Sequence, residues 1–211
     1  MNAEARTNAR RPFVAVVAVA IVTLAGCAGG RRAAEAPTPG ASLDEAHRLA
    51  VQAQAAQGAG DLDRAVELNR QALGINGDLG GVWNNLGVAL LARDRETTDV
   101  IDAGQAFKRA ADLLPTDPRP YENLGTLYHQ RGFADDALRY YALSLERDPN
   151  WPASLRGAVD SARRLRKSDE PALARVRRAI MIERDPAWVQ TLEFERIRIE
   201  NDLAEPGRPR G

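Results

Sequence analysis

Residues 118–151 read PRPYENLGTLYHQRGFADDALRYYALSLERDPNW, and they repeat a pattern that occurs earlier in the chain. Tyr121–Gly125 matches Trp83–Gly87 at a distance of 38 positions, in the order aromatic, polar, Asn, Leu, Gly. Further small, aromatic and proline residues recur at a distance of 34 positions. Internal repeats of roughly 20–50 residues are typical of proteins built by stacking one supersecondary unit on the next. Low aromatic content and abundant alanine favour helices for that unit.

The pattern resembles the tetratricopeptide repeat, a helix–turn–helix unit whose first helix carries Trp, Leu, Gly and Tyr at fixed spacing. The resemblance implies an all-α, right-handed solenoid over residues 43–204. Its repeats span 46–79, 80–117, 118–151 and, in degenerate form, 152–185, before a capping helix at 187–203 and a disordered tail at 205–211. A four-residue insertion between Arg93 and Val100 is expected to lengthen the turn inside the second repeat.

The residues that carry the resemblance are interpreted as packing residues. Small residues are expected where two helices approach closely, and aromatic residues are expected to fill the space between neighbouring helices. The small ones are Gly87, Gly125, Ala103 and Ala137, and the aromatic ones are Trp83, Phe107, Tyr121 and Tyr141.

The N-terminus has the pattern of an export signal. Arg10 and Arg11 precede the apolar run Phe13–Leu24, which would rise only about 18 Å as a helix, less than a ~30 Å hydrocarbon core. A basic segment followed by a short apolar run is typical of a signal peptide, here residues 1–26. The paired arginines also resemble a twin-arginine signal, but the strongly apolar run favours the general secretory route.

The segment Leu24-Ala25-Gly26-Cys27 resembles the bacterial lipobox. That resemblance implies that Cys27 is acylated and becomes the mature N-terminus, with residues 27–42 as a flexible tether. Ala28 after the cysteine implies export onward to the outer membrane, with the domain on its periplasmic face. The alternative is cleavage at a generic small-residue site, with Cys27 playing no role.

Composition and motifs argue against several classes of function. Lys plus Arg total 29 and Asp plus Glu total 29, without the basic excess that is typical of nucleic-acid binding. We find no metalloprotease, nucleophile-elbow or phosphate-loop motif. His47 and His129 are far apart and have no cysteine partners, so they are interpreted as solvated or groove-lining residues. We therefore expect no enzyme activity, metal, cofactor or small-molecule substrate.

The resemblance instead implies a groove lined by the first helix of each repeat. Asn85 and Asn123 both precede Leu-Gly, where some members of the family use asparagines to hold a peptide backbone. The alternative is that these amides bond a neighbouring helix. The candidate partner-binding residues are Asn84, Asn85, Arg119, Glu122, Asn123, Thr126, His129 and Arg156.

Together these features predict a lipid-anchored envelope adaptor that binds protein or peptide partners. It resembles the small tetratricopeptide lipoproteins of pilus and secretion assembly. An adaptor for periplasmic proteases or peptidoglycan enzymes is the nearest alternative, and an envelope enzyme with an unrecognised site is a more distant one.

We predict that Cys27→Ser moves the protein from the membrane fraction into the soluble periplasmic fraction, because a single thiol supplies the acylation site. Fractionation of cells and metabolic labelling with a fatty acid check this result. A Cys27→Ser protein that stays in membranes with unchanged gel mobility would contradict it.

Overall fold

A computed structural model describes residues 39–205, which form nine helices joined by turns and contain no strand. None of these helices is long and apolar enough to span a membrane. The helices are α1 Pro39–Gly58, α2 Leu62–Ile75, α3 Gly80–Arg93, α4 Thr97–Leu113, α5 Arg119–Gln130, α6 Ala134–Arg147, α7 Pro152–Arg164, α8 Glu170–Ile182 and α9 Pro186–Ala204.

Consecutive helices pack as pairs, and the pairs stack on one another. The helices α1 and α2, α3 and α4, α5 and α6, and α7 and α8 contact each other within each pair. The first helices also contact the next first helix along the chain, from α1 to α3, α5 and α7. This arrangement confirms the all-α solenoid of tetratricopeptide-type helix pairs, with α9 packed on α8 at the C-terminal end.

Backbone conformation explains the turns inside the pairs. Gly60 and Gly132 have φ values of +80° and +83°, which glycine adopts without a steric penalty. Asp94 and Arg166 adopt positive φ in the second and fourth pairs, where no glycine is present. The corresponding turn of every pair therefore contains a left-handed residue.

Short polar side chains and prolines start the later helices. Asp169 accepts a hydrogen bond from the backbone of Ala172 at 2.8 Å, and Asp185 accepts one from the backbone of Ala187 at 3.0 Å. A proline lies in the first turn of each helix, where its missing N–H costs nothing. Asp169 and Asp185 therefore cap α8 and α9.

The insertion in the second repeat lies in the helices and not in the turn, so that part of the prediction is wrong. Only residues 94–96 separate α3 from α4, the same length as the turn of the third pair. The extra residues extend α4 to 17 residues, against 14 in α6. Arg93 stabilises the extra helical turn by donating to both oxygens of the buried Asp99 carboxylate.

The N-terminal boundary also differs from the sequence prediction. Helix α1 begins at Pro39, inside the segment 27–42 that was predicted to be a tether. Proline is tolerated in the first turn of a helix, so it starts α1 here instead of breaking it. The predicted signal peptide, Cys27 and the predicted tail beyond residue 205 lie outside the described residues.

Missing side chains at three glycines let aromatic rings enter the helix crossings. A Cβ atom at Gly87 would lie 2.5 Å from the Phe107 ring, and one at Gly125 would lie 2.6 Å from the Tyr141 ring. On its other side, Tyr141 meets Gly157 of α7, where a Cβ would lie 2.2 Å from the ring. Phe107 and Tyr141 are buried, which confirms their interpretation as packing residues.

The remaining packing residues follow the same prediction in part. Ala103 and Ala137 are buried. Trp83 and Tyr121 are only half-buried, and both use their polar groups. The indole of Trp83 donates to the carbonyl of Gly77 at 2.8 Å, while the Tyr121 hydroxyl accepts from the Arg147 guanidinium at 3.2 Å.

The terminal helix α9 packs through the buried side chains of Leu192 and Ile199. On its more polar side, Arg196 pairs with Glu193 and Glu200. Helix α9 also exposes two large apolar side chains, with Phe194 66% and Ile197 46% exposed. The outer surface of this capping helix is therefore partly apolar.

We predict that Gly157→Ala destabilises the protein by about 1–3 kcal/mol, because the new methyl group would overlap the buried Tyr141 ring, which Gly125 contacts from the other side. Gly104→Ala is the matched control, since a Cβ there meets Leu127 at an ordinary 3.7 Å. We expect that change to stabilise α4 by roughly 0.5–1 kcal/mol. Urea unfolding followed by circular dichroism measures both, and equal effects would contradict the prediction.

Candidate functional site

Side-chain hydrogen bonds connect α3, α5 and α7 along the surface that these first helices share. We call this surface the first-helix face. It carries seven of the eight predicted binding residues and two polar residues of α7. Its members are Asn84, Asn85, Arg119, Glu122, Asn123, Thr126, His129, Asp160 and Ser161.

The asparagines of the first-helix face form a ladder with one open end. The amide nitrogen of Asn123 donates to the side-chain oxygen of Asn84 at 2.8 Å, joining α5 to the buried Asn84 of α3. Asn85 has the position in its repeat that Asn123 has in the next, so a matching hydrogen bond would have to reach the preceding first helix, α1. The residue of α1 that corresponds to Asn84 is Ala50, which has no polar group.

Of the two asparagines singled out from the sequence, Asn123 therefore bonds a neighbouring helix. Its partner is Asn84, which the sequence alignment had placed one position away from the ladder. The Asn85 amide is half-buried and makes no side-chain hydrogen bond within residues 39–205. It retains two donors and an acceptor for another molecule.

A chain of hydroxyl groups fixes the Glu122 carboxylate. The Thr126 hydroxyl lies 2.9 Å from a Glu122 oxygen and 3.2 Å from the Tyr141 hydroxyl. Because an ionised carboxylate only accepts, Thr126 donates to Glu122 and accepts a hydrogen bond from the Tyr141 hydroxyl. Burial raises the pKa of Glu122, and the hydrogen bond from Thr126 opposes that rise. Burial also raises the pKa of Tyr141.

His129 connects α5 to α7. Its Nδ1 lies 3.0 Å from the hydroxyl of Ser161, and its Nε2 lies 3.5 Å from a carboxylate oxygen of Asp160. Burial and then the charge of Arg164 lower the pKa of His129, while Asp160 opposes them, so the imidazole is neutral at pH 7. His47 is exposed on α1. Residues 39–205 contain no cluster of three His, Cys, Asp or Glu side chains that could hold a metal ion.

The predicted arginines already have carboxylate partners. Arg119 binds Asp117 through its Nε at 3.0 Å and through a terminal nitrogen. Arg156 donates to both oxygens of Glu183, at 2.7 and 2.6 Å, and thereby joins α7 to the end of α8. These pairs offset the positive charges that the sequence placed on this part of the protein.

Three polar groups of the site were not among the candidates from the sequence. Tyr141 was interpreted as a packing residue, yet its hydroxyl reaches Thr126. Asp160 and Ser161 of α7 hold His129. The repeat pattern is weak in the fourth repeat, so it does not single out Ser161. The position of Tyr141 in its repeat predicts that its ring is packed, but it does not predict which residue its hydroxyl contacts.

No family model matches the chain. Its sequence is similar to the BBSome complex member bbs-4 of Caenorhabditis elegans, with 28% identity over 144 residues. The match covers 68% of this chain and 30% of that protein, so the chain spans less than a third of that relative's length.

Several solved structures resemble the chain at 15% sequence identity. The Arabidopsis OM64 TPR domain has a TM-score of 0.55 and covers 58% of this chain and 98% of its own. The first TPR of Spaghetti (RPAP3), bound to the HSP90 peptide SRMEEVD, has a TM-score of 0.54, with 59% and 98% covered. MamA has a TM-score of 0.54, with 75% and 80% covered. This chain has the tetratricopeptide-repeat fold.

The ion pair that ties the fourth repeat together predicts a pH dependence. The hydrogen bonds from Arg156 and then from the backbone of Asp185 lower the pKa of Glu183 from 4.5 to about 2. The lowered pKa means that the carboxylate stabilises the fold above pH 4.5, and that this contribution is lost as the pH falls toward 2.

We therefore predict that Glu183→Gln lowers the free energy of unfolding at pH 7 and that its difference from the wild type shrinks as the pH falls below 4.5. Urea unfolding at several pH values measures this difference. Glu146→Gln, which alters an exposed carboxylate of α6, is the control and should have little effect at any pH. A difference for Glu183→Gln that does not change with pH would contradict the prediction.

Proposed function

We propose that this protein is a lipid-anchored adaptor of the bacterial cell envelope that binds a peptide segment of its partner proteins on the first-helix face. The single observation that carries the proposal is the open amide of Asn85 at the end of a polar face that crosses three repeats. One of the similar repeat domains, that of RPAP3, is bound to a peptide, which supports a peptide as the partner.

The chemistry of the open amide suits an extended backbone. A carboxamide can donate to a peptide carbonyl and accept from a peptide N–H, so one asparagine can satisfy one peptide unit. The neighbouring ladder between Asn123 and Asn84 holds α3 and α5 together at this point. A peptide lying along the face would therefore meet a fixed surface, which reduces the entropy lost on binding.

The membrane attachment in this proposal depends on the lipobox resemblance at Cys27. Acyl chains on Cys27 would hold the repeats at the periplasmic face of the outer membrane, since two or more chains give stable anchoring. Residues 28–38 would then separate the anchor from α1 by roughly 17–20 Å if they form a flexible coil, from about 5–6 Å multiplied by the square root of the residue number.

We place this adaptor in the assembly of a pilus or secretion system. The support is its resemblance in size and layout to small repeat lipoproteins of those systems. An adaptor acts by position, so co-purification of its partners after crosslinking in intact cells would identify the assembly.

We predict that the full chain, immobilised from detergent solution, enriches a defined set from a displayed library of random decapeptides. Asn85→Ala should weaken binding of the selected peptides about five- to a hundredfold, because a peptide group would lose its hydrogen-bond partner in a half-buried site. Binding is measured by fluorescence anisotropy with labelled synthetic peptides.

The control is Asn201→Ala, which removes an exposed amide from α9 and should bind like the wild type. The melting temperature of Asn85→Ala should stay close to that of the wild type, since the amide bonds no other side chain in the described part of the chain. A library that yields no peptide, or an Asn85→Ala protein that melts early and binds normally while folded, would contradict the proposed site.

A further inference from the structure

A donor–acceptor pair joins α3 to α5 on the first-helix face, and at the corresponding step from α5 to α7 the donor is missing. Between α3 and α5, the acceptor Asn84 receives its hydrogen bond from Asn123 of the next helix. Between α5 and α7, the corresponding positions are Glu122 and Gly157. Gly157 has no side chain, and the Tyr141 ring occupies the space that a Cβ atom at this position would need. The acceptor at this step therefore has no donor from the next first helix.

The acceptor is also a charged group at this step. Glu122 receives one hydrogen bond, from Thr126 on its own helix, and forms no ion pair within residues 39–205. It is half-buried, which makes its negative charge costly in the absence of a counter-charge. Thr126 and Tyr141 hold the carboxylate in place, so it does not need to reorganise to receive a ligand.

Three arginines on or beside this face are already paired with carboxylates of the protein. Arg119 is bound to Asp117, Arg156 to Glu183, and Arg163 to Asp160 at 2.6 Å. Arg164 is exposed and lowers the pKa of His129 and Tyr141, which places its charge toward the α7 end of the face. Glu122 is therefore the carboxylate on this face that lacks a cation.

We propose that Glu122 receives the ammonium or guanidinium group of a lysine or arginine, so that the first-helix face selects basic peptides. This inference rests on the proposed peptide-binding function and adds the chemical class of the partner. The cation would supply the donor that Gly157 lacks and the charge that Glu122 lacks. Glu122 and Asn85 lie on adjacent first helices, α5 and α3, so one extended peptide would contact both.

The chemistry of the site favours a cation over the other side chains of a peptide. A neutral donor would satisfy the hydrogen bond but would leave the carboxylate charge unbalanced. An acidic side chain would be repelled by Glu122 and would find Arg119 and Arg156 already occupied by carboxylates. A charge-assisted hydrogen bond in a partly desolvated site is stronger than a neutral one, and it gives selectivity for Lys and Arg.

The decapeptide selection on the full chain tests this inference. We expect lysine or arginine to be enriched at one position of the selected peptides. In a synthetic peptide, replacing that residue with methionine should weaken binding to the wild type about ten- to a hundredfold. The same replacement should cost less than about threefold in Glu122→Gln, because the cation would have lost its carboxylate.

Glu122→Gln keeps the size of the side chain and its ability to accept from Thr126, so it should fold and still bind peptides. Asp112→Asn is the charge control, since it removes an exposed carboxylate of α4 outside the first-helix face and should keep the full effect of the methionine replacement.

The outcomes separate this inference from the proposed function. Selected peptides without a basic position, or a methionine replacement that costs as much in Glu122→Gln as in the wild type, would overturn the role of Glu122 and leave peptide binding intact. A selection that enriches no peptide would overturn the proposed function and the inference together.

Discussion

The contact of the Tyr141 ring with two glycine backbones is the constraint on which the third and fourth repeats depend. The ring lies between Gly125 of α5 and Gly157 of α7, and a Cβ atom at either position would overlap it. One side chain of α6 therefore sets the approach of two first helices. Protein interiors are packed as densely as organic crystals, so such a contact leaves little freedom to either helix. The equivalent contact of Phe107 with Gly87 sets the spacing in the second repeat.

The same packing shapes the chemistry of the first-helix face. With its ring held between the glycines, Tyr141 has its hydroxyl beside Thr126, and Thr126 is thereby oriented toward Glu122. The glycine that makes room for the ring also removes the side chain that could have bonded Glu122. The packing of Tyr141 in the core and the lack of a counter-charge at Glu122 thus have one structural cause.

The fold could be predicted from the sequence because its signal is local and periodic. The glycine, alanine and aromatic positions recur in register, and each one marks a helix crossing. The location of the insertion could not be predicted in this way. Its length is visible in the alignment, but the extra residues form helix because Arg93 binds Asp99, a contact that depends on the three-dimensional turn.

The candidate site was predictable as a surface but not as a set of interactions. Repeat positions place Asn84, Asn123 and Glu122 on the first helices, as the structure does. Asn123 bonds Asn84, which lies one position earlier in its repeat than Asn123 does in its own. An alignment compares equal positions of the repeats, so it does not show this contact. The partner of Arg156 is Glu183, which lies 27 residues away at the end of another helix. The sequence alone therefore shows a positive charge without its partner, whereas the structure shows an ion pair.

These counter-ions decide which ligand charge the face can accept. A set of arginines on a repeat surface suggests recognition of acidic groups, but an arginine that is already bound by two carboxylate oxygens has its charge offset and keeps only three of its five N–H donors for a ligand. Displacing Glu183 from Arg156 would also expose a carboxylate that supports the end of α8. The carboxylate of this face that remains available to a partner belongs to Glu122. The electrostatic selectivity of this face therefore depends less on which charged residues it carries than on which of them are already paired within the protein.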